Sequence, residues 1–133
     1  MPAKYPHMKK EEVRIWEKFL PRLPWRASSI SYDVRLGEGA TLPPENPDWV
    51  KRMAFALSTK RVDVIVETSG EVIIVEIKER CALSAVGQLL GYLALYVKQF
   101  RPSKRIRLAV VCERVAPDMG VILAEYGIET YIV

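Results

Sequence analysis

An α/β fold, with helices covering a mixed central sheet, is predicted from three features of the sequence. Glu71–Lys78 is apolar on both faces, because Val72 and Ile74 alternate with Ile73, Val75 and Ile77; a strand of that kind belongs between two layers. A second β-rich run, Arg61–Glu67, precedes it across Ser69-Gly70, a dipeptide suited to a two-residue hairpin turn. Elsewhere the hydrophobic period switches between helical and strand values. The resulting order is helix, strand, helix, hairpin, helix, strand, short helix, strand.

The elements follow in turn. Met1–Lys10 is a basic leader with Pro2, Lys4, Pro6, Lys9 and Lys10, expected to fray. Glu11 to about Leu20 reads as a helix stopped by Pro21, with Val13, Trp16 and Leu20 as its apolar stripe and Ile15 and Phe19 widening it. Ser28–Leu36 alternates Ile30, Tyr32, Val34 and Leu36 against polar neighbours, as a strand does. Gly37–Pro47 is loop-rich, and Asn46-Pro47-Asp48 starts a helix with a capping Asn, a proline at the first helical position and an acid near the positive dipole end. That helix should run to about Leu57 and bury Trp49, Val50, Met53 and Leu57. Beyond the hairpin, a helix from about Ala82 to Phe100 presents Leu83, Val86, Leu90, Leu93 and Val97 as a core stripe. Within it, Gly87 and Gly91 each cost roughly 1 kcal/mol, which points to close approach of the helix to the sheet. Ile106–Cys112 is apolar enough to be central, Pro117 begins a short helix ending at Gly127, and Ile128–Val133 is a last strand. With 133 residues, this amounts to one domain, 11–133, behind the leader.

Composition narrows the chemistry. Half of the residues are hydrophobic and 27% charged, and no apolar run reaches membrane-span length, so a cytoplasmic protein without membrane attachment is expected. Cys81 and Cys112 lack metal-type spacing and are too few for an iron–sulfur cluster. Without a Walker or a G-x-G-x-x-G loop, no nucleotide cofactor is implied. The single histidine, His7, lies in the leader, which sets aside Ser-His-Asp, Cys-His and His-zinc chemistry. A net charge of +4 suits a phosphate-rich partner. Any catalysis should therefore rest on carboxylates and lysine.

The hairpin supplies both. If Thr68 pairs with Glu71, Asp63 falls directly opposite Glu76, with Cβ atoms ~5 Å apart. Lys78, two residues on, shares that face. Opposed carboxylates repel. A hard divalent cation relieves that repulsion, since Mg²⁺ is held by one or two carboxylates together with waters and phosphate oxygens. Gln88 and Tyr92, four apart, share one helix face. Basic residues flank the hairpin in two groups, Lys51, Arg52, Lys60 and Arg61 before it, and Lys98, Arg101, Lys104, Arg105 and Arg107 around Pro102-Ser103. Either group could hold a polyanion or merely solvate a turn.

Asp63, a twelve-residue spacer and Glu76-Ile77-Lys78 resemble the D…E-x-K motif of PD-(D/E)XK nucleases. Gln88-Leu89-Leu90-Gly91-Tyr92 is similar to the Q-x-x-x-Y element of their RecB-like branch, and V-V-E-x-K…A-V-G-Q-L-x-x-Y to the catalytic domain of NucS-type mismatch endonucleases. Val62 stands where the motif has proline. The resemblance implies a restriction endonuclease-like three-layer sandwich and a nuclease hydrolysing DNA phosphodiesters with Mg²⁺ or Mn²⁺, in DNA repair or a mobile element. It implies Asp63, Glu76 and the Ile77 carbonyl as metal ligands, Lys78 as the residue that positions the attacking water, and Gln88 and Tyr92 beside the water or the strand. It further implies an acid from the first helix, Glu17 before Glu12. Arg61 leads the DNA-contacting set, with Lys60, Lys51, Arg52, Arg101, Lys104 and Arg105. By analogy, a homodimer or docking to a larger helicase or mobile-element protein would complete the enzyme. The alternatives are a non-catalytic nucleic-acid-binding or assembly subunit with the same fold, and an unrelated α/β domain whose charged hairpin end faces water.

Overall fold

The structure, a computed structural model, describes residues 5, 7–39, 42–58 and 60–133, and only the backbone at 53 and 55–58. Five strands form one mixed sheet in sequence order: β1 (Ser29–Leu36), β2 (Lys60–Glu67), β3 (Glu71–Cys81), β4 (Arg105–Val115) and β5 (Ile128–Ile132). β1–β2 and β2–β3 are antiparallel, whereas β3–β4 and β4–β5 are parallel, as the long crossovers through helices require. Helix α1 (Lys10–Phe19) covers one face. Helix α3 (Leu83–Phe100) covers the other, together with α4 (Met119–Glu125), and α2 (Asp48–Ser58) joins β1 to β2.

β3 is the axis of the sandwich. Ile73, Val75 and Ile77 pack with Ile15, Trp16 and Phe19 beneath α1, while Val72 and Ile74 pack with Ala85, Leu89 and Tyr92 beneath α3. The turn before it closes as the sequence predicts, with the Thr68 N–H donating to the Glu71 carbonyl at 2.9 Å. The Thr68 hydroxyl oxygen also accepts from the backbone N–H groups of Gly70 and Glu71.

Five expectations need correction. α3 is rolled relative to the expected stripe: Ala85, Leu89, Tyr92 and Tyr96 are buried together with the expected Val86, the expected Leu90 and Leu93 pack at the edge of that core, and Leu83 is 65% and Val97 45% exposed. Trp49 is not a core residue of α2 but is 59% exposed, Val50 is half-buried, and the side chains of Met53 and Leu57 lie outside those described. Gly87 and Gly91 do not mark contact with the sheet, for a Cβ at either would meet nothing within 4 Å. α4 begins two residues later than Pro117, because Asp118 takes φ +68°, although Gly127 ends it at φ +64° as expected. Finally, the leader is held at Tyr5, whose buried ring lies 4.9 Å from that of Tyr32, and at His7, whose side chain is 4% exposed. An aromatic ring gains more by covering apolar surface than by remaining in water. Residues 1–4 and 6 of the leader, with Pro2, Lys4 and Pro6, lie outside the described residues.

β1 changes sides along its length. Ile30 and Tyr32 pack with the α1 layer, and Val34 and Leu36 with the α3 layer. Between them Asp33 adopts φ +53°, a conformation that Asp tolerates better than most residues, and the ladder passes from Tyr32↔Val64 to Val34↔Val62 with no rung at Asp33. The residue opposite the missing rung is Asp63.

Candidate active site

Asp63 is unpaired on its other side as well. β2 and β3 pair from Glu67↔Val72 to Val64↔Val75, and the same register would set Asp63 opposite Glu76, but there the strands part. Ile77, on β3, thereby loses a ladder acceptor for its N–H, and Asp63 Oδ2 takes that bond at 3.0 Å. The aspartate is fixed by the backbone of the motif it faces.

Glu76 occupies the opening, 4% exposed, with Oε2 buried and without a hydrogen-bond partner among the described residues. Burial pushes its carboxyl up to about 9, with the charge of Asp63 adding to the rise and Lys78 opposing it. Near neutral pH the metal-free pair therefore retains a proton. Tyr92, buried on α3, faces both carboxylates; desolvation first, then the charges of Glu76 and Asp63, hold its hydroxyl protonated well above the ordinary range. Gln88, one turn earlier, is half-buried, and its Oε1 is buried without a partner among the described residues. Lys78 is half-buried on the face of Glu76.

Of the two first-helix acids Glu12, whose Oε2 accepts from the Lys9 backbone N–H at 3.1 Å, lies on the side of this group, and Glu17 does not. Glu12 is half-buried and its pKa is raised, chiefly by desolvation and also by Asp63, whereas Glu17 is exposed. The reason lies in the phase of the helix. The buried face runs through Ile15, Trp16 and Phe19, with Glu12 in line and Glu17 on the far side. His7 was set aside by its place in the leader, yet its Nε2 lies 3.6 Å from Asp63 Oδ1. No spacing rule could have found it, because the fold of the leader brings it there.

The basic residues are distributed differently from the sequence reading. Arg61 grips Asp33 through two hydrogen bonds of 2.7 Å, which bring that carboxyl below its usual value against the opposing effect of burial. Lys104 donates to the Thr68 carbonyl and lies 3.6 Å from Glu67, and Arg105 sits 3.9 Å from Glu71. Since β4 Arg105 pairs with Glu71, Arg101, Lys104 and Arg105 gather at the hairpin-turn end of the sheet. Five to seven residues of β3 separate that end from Glu76 and Lys78, roughly 17–23 Å. Lys51 pairs with Asp48 at 3.4 Å, and Arg52 is exposed on α2. Lys60, at the start of β2 and three residues before Asp63, is exposed.

A buried carboxylate pair with an orphaned oxygen and an adjacent ammonium fits a hard divalent cation whose remaining ligands are waters and phosphate oxygens. Among the described residues no group of three His, Cys, Asp or Glu side chains is placed to hold a metal alone. An all-protein cage is therefore not the form such a site would take.

No protein-family model matches the chain, and neither does a curated protein. Solved structures do. A repair endonuclease from Pyrococcus abyssi superposes with TM-score 0.54 at 17% identity, over 98% of this chain and 49% of that one. An EndoMS–double-stranded DNA complex gives 0.52 at 16% identity, over 100% and 48%, and EndoMS in its apo form 0.50 at 17%, over 95% and 47%. The chain has the fold of these endonucleases. It spans about half of their length.

Proposed function

We propose that this chain is a metal-dependent nuclease that hydrolyses DNA phosphodiester bonds. The observation that supports it most is Glu76, almost wholly buried opposite Asp63 with an oxygen that no described residue satisfies. Burying two carboxylates together is unfavourable unless a proton or a cation joins them, and a bound cation replaces the proton that the metal-free pair retains. In this reading Asp63, Glu76 and the Ile77 carbonyl hold Mg²⁺ or Mn²⁺. The bound ion would neutralise charge on the phosphate and make a water more acidic.

The chain's own groups do the rest. Lys78 holds the attacking water in line with the phosphorus and balances charge on the non-bridging oxygens. Tyr92, kept protonated, donates a hydrogen bond toward the carboxylates, and Gln88 supports the water or the adjacent strand. Glu12 is the first-helix acid. Water oxygen bonds to phosphorus and gives up a proton to solvent, the bond to the leaving sugar oxygen breaks, and that oxygen takes a proton from solvent. In this reading Lys60, in a cleft beside Gln88 and Tyr92, contacts the DNA, while Arg101, Lys104 and Arg105 lie at the hairpin-turn end of the sheet. In this reading, and by analogy alone, a second copy or a docked protein, such as a helicase or mobile-element protein, contributes to the substrate channel.

The test is cleavage of labelled single-stranded, duplex, flap and junction DNAs in Mg²⁺, Mn²⁺ or EDTA, with Asp63→Ala and Lys78→Ala alongside. Cutting that needs metal and disappears in both variants is expected. Salt-sensitive binding without cutting, unaffected by either substitution, would instead favour a non-catalytic binding subunit.

A further inference from the structure

A cleft of about 300 Å³ lies between α3 and the start of β2, lined by Lys60, Gly87, Gln88, Gly91, Tyr92 and Leu95. Its size is at the lower end of small-ligand pockets, room for a single nucleoside-sized group. Its floor is set by the two glycines. Both sit inside a helix, where glycine costs roughly 1 kcal/mol relative to alanine, and neither is required by packing, since a Cβ at either position would meet nothing within 4 Å. The fold gains nothing from glycine there. The space left by the missing side chains is the cleft itself, and close approach of a ligand to backbone is a use that only glycine serves.

The surroundings specify what would fit. Tyr92 lines the cleft and also faces Glu76 and Asp63, so one wall of the cleft is shared with the carboxylate pair. Lys60, also in the lining, is an exposed cation. Gln88 also lines the cleft, and its side-chain amide can both donate to and accept from a sugar or a base. Leu95 and the glycine backbone supply apolar surface. Polar groups around an apolar floor match a sugar or base linked to a phosphate.

We infer that this cleft seats the nucleotide adjoining the scissile phosphate, on a single strand, with its sugar laid across Gly87 and Gly91 and its phosphate reaching Lys60. The inference rests on the nuclease reading and extends it to a substrate subsite. A side chain grown from either glycine should fill the subsite without harming the fold. Gly91→Leu is expected to melt at or above the temperature of the unmodified protein and to bind Mn²⁺ unchanged in a calorimeter. It should bind a labelled single-stranded oligodeoxynucleotide in EDTA, read by anisotropy, roughly ten-fold more weakly or worse. Gly91→Ala, whose added methyl meets no atom, should weaken binding less, and it keeps the test decisive if leucine disturbs the helix. Lys60→Ala should lower the salt dependence of binding by about one phosphate contact. If the unmodified protein cuts DNA and Gly91→Leu binds and cuts equally well, the subsite is wrong while the nuclease reading stands. If the unmodified protein neither binds nor cuts any nucleic acid, both fall.

Discussion

Replacing Glu76 by glutamine should stabilise the metal-free protein. In the folded chain the carboxyl releases its proton at about 9, against an ordinary value of 4.5 once unfolded. Between those values the folded state binds the extra proton, so stability from this group is full below about 4.5 and declines as pH rises toward about 9. Each pH unit of that mismatch is worth ~1.4 kcal/mol, so by pH 7, about 2.5 units above 4.5, the folded state has given up at most roughly 3–4 kcal/mol. Glutamine occupies nearly the same volume, carries no charge and can donate its amide hydrogens to Asp63. With an unfolding entropy of about 2.1 cal/mol/K per residue, the gain corresponds to ~10–15 °C at the upper limit. Calorimetric melting in EDTA at several pH values measures it. Glu76→Gln should melt higher than the unmodified protein near neutral pH, and the difference should shrink on acidification. Mg²⁺ should then raise the melting temperature of the unmodified protein far more than that of Glu76→Gln, because the substitution removes a ligand. A Glu76→Gln protein that melts lower in EDTA at neutral pH would refute the argument, because it would mean that the buried carboxyl is satisfied without a cation.

Three further outcomes are expected. Glu12→Gln should change Mn²⁺ affinity several-fold in a calorimetric titration, by the loss of one nearby charge, and Glu17→Gln should leave it unchanged. Leu89→Ala should cost ~2–5 kcal/mol in chemical denaturation and Leu83→Ala less than about 0.5, which separates the observed inward face of α3 from the one its leucines suggest. Arg107 donates to Glu129 twice at 2.6 Å and to Glu71 at 2.9 Å. Arg107→Ala, which strands these half-buried carboxylates, should therefore lower stability by roughly 1–3 kcal/mol, less in high salt.

The hairpin was legible because two independent signals agreed. Alternation fixed which residues share a face, and the turn dipeptide fixed the register, so the juxtaposition of Asp63 and Glu76 could be counted out before any coordinates. α3 was not legible in the same way. Beside the stripe of Leu83, Val86, Leu90, Leu93 and Val97 it carries a second apolar run through Ala85, Leu89, Tyr92 and Tyr96, and a helix apolar on so much of its surface has more than one phase to read. What decided its orientation was the smallness of Ala85 and the bulk of Tyr92 and Tyr96 against the sheet. In α1 a stripe widened on both sides left the choice between Glu12 and Glu17 open to a rotation of one residue. The break at Asp33 was invisible for a different reason. A polar residue between Tyr32 and Val34 satisfies strand alternation whether or not the strand changes sides there, and only the backbone angle distinguishes the two. The proximity of His7 to Asp63 arises wholly from tertiary folding.

The crossing of β1 has a consequence for how this molecule comes apart. One half of that strand is anchored in the layer under α1 and the other in the layer under α3. Peeling it away would uncover both at once. The two halves of the sandwich thus share a single cooperative fate, and neither can melt, or be protected against hydrogen exchange, without the other.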